Sequence, residues 1–98
     1  MVKHMIVWKF KDGVENKAQT ALEIKTALEG LVGKIGGLTE MHILTDGIAS
    51  SSGDVMMDST FTSQTALENY QGHPLHQEIA NGLVRPVMQA RLSFDYEV

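Results

Sequence analysis

Cysteine is absent from the 98 residues. No disulfide framework, thiolate metal site or cysteine nucleophile can therefore be built. Long apolar runs are missing too. The longest near the N-terminus, Met5 to Trp8, sits among Lys3, Lys9 and Lys11 and is too short for a signal-peptide core or a bilayer span. Basic residues are scarce, eight against twelve acidic, for a net charge of −4. A chain of that sign is not drawn to phosphate or anionic lipid, so no nucleic-acid partner and no membrane are expected. With no cysteine and no apolar run of signal length, a reducing, cytoplasmic setting is the default expectation. The Gly-x-Gly-x-x-Gly and Walker patterns are missing, Ser50, Ser51 and Ser52 form no nucleophile elbow, and the carboxylates show neither a glycosidase pair nor a calcium loop.

What remains is an ordinary globular composition, 43% hydrophobic and 20% charged, enough for one domain over residues 1–98. By surface scaling such a chain exposes roughly 5,500 Å² folded against about 15,700 Å² unfolded, a thin margin for a lone monomer.

Val2, His4, Ile6, Trp8 and Phe10 alternate with Lys3, Met5, Val7, Lys9 and Lys11, a strand with its first set buried. From Glu15 to Ile35 the period becomes helical, with Ala18, Ala21, Leu22, Lys25, Leu28, Leu31, Val32 and Ile35 on one stripe and Gly36-Gly37 as its stop. Leu38 to Thr45 and Val55 to Phe61 read as strands two and three, joined by the polar loop Asp46 to Asp54. Ser63 stands where an N-cap belongs, Gly72 breaks that helix, Pro74 opens another and Pro86 ends or kinks it. Leu75, Ile79, Leu83 and Val87 repeat every fourth residue along this last helix. The final strand sets Ala90, Leu92, Phe94, Tyr96 and Val98 against Arg91, Ser93, Asp95 and Glu97.

The order β-α-β-β-α-β is the split βαβ arrangement: an α+β, ferredoxin-like protein with a four-stranded antiparallel sheet and its helices on one face. The other face, with Met5, Val7, Met56 and, on one reading, Met41 and Ile43, is apolar enough to call for a second copy of the chain. A homodimer is the expected partner arrangement.

Chemistry concentrates in Tyr70-Gln71-Gly72-His73-Pro74-Leu75-His76, two imidazoles and a phenol at a helix break. A pocket there would pair a proton acceptor with a proton donor. The same residues have a purely structural reading, with Tyr70 packing its ring and His73 capping the helix that Pro74 begins. His73 and His76 stand three apart, but no third ligand is evident, so no metal is expected. His4 on the buried side of the first strand is either a satisfied core histidine or a polar group of a cavity. Ile6 and Trp8 lie beside it as core or as pocket wall.

The opening VKHMIVWKFKD, the run Phe61-Thr62-Ser63 through Tyr70 to His73-Pro74-Leu75-His76, and the closing Phe94-Asp95-Tyr96 resemble the Dabb family, the stress-responsive dimeric A/B barrel domains, over nearly the whole chain. The resemblance implies two sheets paired into a dimeric α+β barrel, with a sheet–helix cavity in each protomer that takes a small ligand and no cofactor. Most relatives have no assigned activity. The family also includes a plant polyketide cyclase that closes an aromatic ring by aldol condensation with a His/Tyr acid–base pair. Those roles map onto His76 and Tyr70. His4, Ile6 and Trp8 then belong to the ligand pocket, and His73 and Asp95 give structural support. This chain has Val55 where the cyclase carries a further histidine. It also has Trp8 in place of a smaller aliphatic residue, an indole large enough to fill much of the cavity.

Overall fold

The computed structural model describes all 98 residues, Met1–Val98. Four strands, β1 (Val2–Phe10), β2 (Leu38–Leu44), β3 (Val55–Phe61) and β4 (Met88–Glu97), form one antiparallel sheet in the order β2-β3-β1-β4. Three helices, α1 (Lys17–Glu29), α2 (Gln64–Gly72) and α3 (Pro74–Ile79), complete the ferredoxin-like α+β fold. Past α3 the chain loosens into a π-helical turn, Ala80–Val84, and tightens into a 3₁₀ turn, Arg85–Val87, before β4. Pro86, with no N–H to donate, stands in that last turn and blocks an ordinary helix from continuing.

The core is the layer between sheet and helices. Val2, His4, Ile6, Trp8 and Phe10 are all buried, as their alternation requires. Val55, Met57, Ser59 and Phe61 of β3 lie beside them, and Ala21, Ile24 and Leu28 of α1 close over the layer.

Two expectations about α1 need correction. The helix ends at Glu29 rather than Ile35, because Gly30 caps it and Gly33 takes a left-handed φ of 88°. Leu31 and Ile35 stay buried, but through turns. The stripe is also displaced: Ile24 is wholly buried, whereas Leu22 and Val32 are exposed. In the last helical segment the buried residues are Ala80 and Val84, while Ile79, Leu83 and Val87 are only half-buried and Leu75 is exposed. The π-helical turn rotates the buried side away from a strict four-residue repeat.

β2 departs from simple alternation. Its pairing with β3 shifts between Leu38 and Glu40, so Leu38 and Met41 are both buried although they stand three positions apart. Met41 and Ile43 therefore belong to the helix-side core, not to the open face of the sheet. Gly37 makes the tight approach to this strand. Its φ is 84°, its carbonyl accepts from the Thr62 N–H at 2.9 Å, and a Cβ there would lie 2.5 Å from the Ala66 Cβ.

The helix-free face carries a polar corner and an apolar remainder. Lys3 bonds Asp58 at 2.5 Å and donates to the Thr60 hydroxyl at 2.9 Å, and the Asp58 bond raises the Lys3 pKa. Val7, Leu44, Leu92, Phe94 and Tyr96 are exposed, Leu92 by 76% and Phe94 by 70%. The isolated chain exposes 5847 Å².

Candidate functional site

The alternation of β1 decides which of its side chains meet the helices. His4, Ile6 and Trp8 project from the sheet, and Tyr70 of α2 and His76 of α3 face them across a cavity of about 460 Å³. That lies within the roughly 300–1,000 Å³ of small-molecule sites. Two local devices place Tyr70 and His76. Ser63 caps α2 by accepting from the Ala66 N–H at 3.1 Å, which fixes the phase that buries Ala66, Leu67 and Tyr70. His73 then breaks the chain with an extended ψ of 135°, and its Nδ1 accepts from the Leu75 N–H at 3.1 Å to cap α3. The break turns His76 back onto Tyr70, with ring centroids 4.3 Å apart.

The environment sets the protonation of this pair. Tyr70 is 1% exposed and its hydroxyl meets no hydrogen-bond partner. Burial pushes its pKa well above the ordinary phenol value, with Arg91 pulling the other way. The phenol stays protonated at neutral pH. Burial lowers the His76 pKa below 6.5. The Gln71 carbonyl opposes this, while the positive charges of Arg85 and Arg91 add to it. His76 Nδ1–H donates to the Gln71 carbonyl at 3.2 Å, which leaves Nε2 as the basic nitrogen of a neutral ring.

His4 is 2% exposed, and its Nδ1–H donates to the Asp95 carboxylate. Asp95 lies opposite His4 in the β1–β4 register and outside the cavity lining. His4 thus has one ring nitrogen anchored and the other left for the chamber. Of the residues singled out in the sequence, His4, Ile6, Trp8, Tyr70 and His76 line one cavity, whereas His73 and Asp95 do not. Trp8 forms wall rather than plug, since the cavity persists with the buried indole at its side. Val55 is buried in the core opposite Trp8 and also lies outside the lining. His73 is engaged in capping α3, and no group of three or more His, Asp or Glu side chains is placed to hold a metal ion.

Sequence reasoning missed several members of the lining, above all Arg85 and Arg91. The Arg91 signal was available only through register. Arg91 pairs with Trp8, and paired residues share a face, so the polar side of β4 is the side that looks at the cavity.

The family model of the stress responsive A/B barrel domain, Dabb, matches residues 2–98. The chain belongs to the Dabb family. Among solved structures, this Dabb chain is similar to a dimeric protein of unknown function and ferredoxin-like fold from Bacteroides fragilis. The TM-score is 0.89 at 24% identity, covering 99% of this chain and 95% of that one. A protein from Arabidopsis thaliana is 29% identical with a TM-score of 0.82, covering 100% of this chain and 95% of that one. A hydroxynitrile lyase from Passiflora edulis has a TM-score of 0.74 at 16% identity, covering 99% of this chain and 92% of that one. At 24% and 16% identity, the Bacteroides and Passiflora likenesses speak for the fold alone. No curated protein matches the chain in sequence. No helix of this Dabb chain is long and apolar enough to cross a membrane.

Proposed function

We propose that this Dabb protein works as a homodimer and holds a small organic ligand in the cavity between sheet and helices of each protomer. The observation that carries the reading is the cavity itself: about 460 Å³ with an apolar wall and the polar groups of His4, Tyr70 and His76 at its edge. Dimerisation draws support from the exposed Leu92, Phe94 and Val7 on the helix-free face, and the Bacteroides fragilis neighbour is described as dimeric.

A catalytic use of the same chamber is favoured by a more specific observation. Tyr70 is a buried phenol with no hydrogen-bond partner, its ring tilted against that of a histidine whose Nε2 is unengaged. A buried hydroxyl left unbonded costs about 1–3 kcal/mol, so the site gains when a ligand oxygen arrives. His76 Nε2 would take a proton from carbon between two carbonyls, and the Tyr70 hydroxyl would donate to the oxygen that gains the charge. The enolate then attacks a second carbonyl of the same molecule, the new alkoxide takes up the proton held on His76, and loss of water completes the polyketide cyclase-like aldol condensation, with no cofactor needed. His73 and Asp95 act as positioning residues, the first for α3 and the second for His4.

Deuterium exchange into the central carbon of ethyl acetoacetate, followed by proton NMR, tests the catalytic use. Wild type is expected to accelerate exchange, His76→Ala to lose about 10²-fold or more of that acceleration, and Tyr70→Phe to lose less. Equal exchange by wild type and His76→Ala would remove the histidine from the chemistry. Equal binding of the ester by both would remove it from the site.

A further inference from the structure

Arg85 and Arg91 are the only arginines in a chain of net charge −4, and both line the one cavity that His76 and Tyr70 share. Arg85 comes from the 3₁₀ turn and Arg91 from β4, so separate elements deliver them to the same place. Neither forms an ion pair, and no Asp or Glu belongs to the cavity lining. Arg85 donates one N–H to the side-chain amide oxygen of Asn81, and Arg91 has no side-chain hydrogen bond. The chamber therefore holds two permanent positive charges with most of their donors unspent, facing a wall that includes Ile6, Trp8, Leu28 and Met57.

We infer that the ligand of this cavity is an organic acid, with its carboxylate on Arg85 and Arg91 and its apolar body against Trp8, Ile6, Leu28 and Met57. The inference rests on the pocket reading above and names its substrate class. A planar guanidinium meets a carboxylate through two parallel hydrogen bonds, and two of them within a partly enclosed site compensate a full negative charge. The apolar body follows from the wall, which would be left half-wet by a small inorganic anion. No glycine-rich loop of backbone N–H groups is present to cradle a polyphosphate. In the ligand-free cavity the same cations help to keep His76 neutral. For a keto acid, the carboxylate on the arginines would fix which carbon lies near His76.

Calorimetric titration with 4-phenylbutanoate, its neutral amide 4-phenylbutanamide, and inorganic phosphate separates the possibilities. The acid is expected to bind wild type at least tenfold more tightly than the amide, and phosphate more weakly than the acid. Arg91→Gln and Arg85→Gln should each weaken the acid about tenfold and the amide by much less. Both positions are exposed, so thermal melts of these variants should overlay wild type. An acid that binds no better than the amide, or an acid preference that survives in the double variant, would overturn the assignment and leave the pocket standing. Phosphate binding as tightly as the acid would overturn the carboxylate class. Failure of acid and amide alike at millimolar concentration would bring down the pocket reading together with this inference.

Discussion

β1 and β4 lie side by side, paired from Val2–Glu97 to Phe10–Met88, and both alternate, yet the main apolar set faces the helices in β1 and faces away from them in β4. β1 turns Val2, Ile6, Trp8 and Phe10 toward the helices. β4 turns Arg91, Ser93, Asp95 and Glu97 the same way and leaves Leu92 and Phe94 on the helix-free face. In the single chain none of the residues from Gln89 to Val98 is buried. Alternation tells that a strand has two unlike faces, while only the pairing register tells which face meets which layer. Here the inward face of the edge strand is polar because it borders a cavity. The outward face is apolar, as expected if another copy of the chain covers it.

Substitutions in the two strands should separate these roles. Phe94→Asp is expected to have the largest effect. Each protomer of a symmetric dimer loses the burial of one large ring, about 1.5–3 kcal/mol, so assembly weakens by about 3–6 kcal/mol and the melting midpoint should stop depending on protein concentration. A melting midpoint that remains concentration-dependent would show that β4 is not the contact. Ile6→Ala on the neighbouring strand should instead cost about 2–4 kcal/mol within each protomer, read as a lower urea midpoint at every concentration. Asp95→Ala strands the buried His4 Nδ1–H. Because Asp95 itself is exposed, the loss should stay near 1 kcal/mol, and Asp95→Asn should restore part of it through its carbonyl oxygen.

The smallest effect is a pH dependence. His76 has a folded pKa below its ordinary 6.5, so as pH falls past 6.5 the unfolded chain takes up the proton first. Its contribution to stability is complete above pH 6.5 and is lost as pH drops through the lowered folded value. His76→Gln should flatten the urea midpoint across that window. A slope unchanged in the variant would place its origin elsewhere. Glu29 adds a separate, more acidic slope. Burial works to raise its carboxyl, but the Ile43 N–H at 2.9 Å and Lys25 at 2.8 Å outweigh that and hold it below 4.5. Stability from Glu29 is present above pH 4.5 and lost below it.

The element order and the β1 face were readable because β1 has no bulge before Lys9 and its alternation is unbroken. Tyr70, His73 and His76 could be singled out because Gly72 and Pro74 mark a helix break around them. Met41 and Ile43 were ambiguous because the shift at Leu38–Glu40 changes the parity of β2, and no residue type there announces a bulge. Ile24 escaped notice because α1 is shorter and turned slightly from the stripe that its leucines suggest. Arg91 falls on the polar side of the last strand, and only the pairing with β1 shows that this side looks at the cavity. The room left by Trp8 could not be judged from residue size, since the size of the cavity depends on how far the helices stand from the sheet.

The relation between the two faces of β4 is best tested by sedimentation equilibrium on the unmodified protein over a wide concentration range. The account predicts a species of twice the chain's 10.8 kDa at micromolar concentration. A 10.8 kDa species persisting into the millimolar range would contradict it. The exposed apolar side of β4 would then have no second copy to meet.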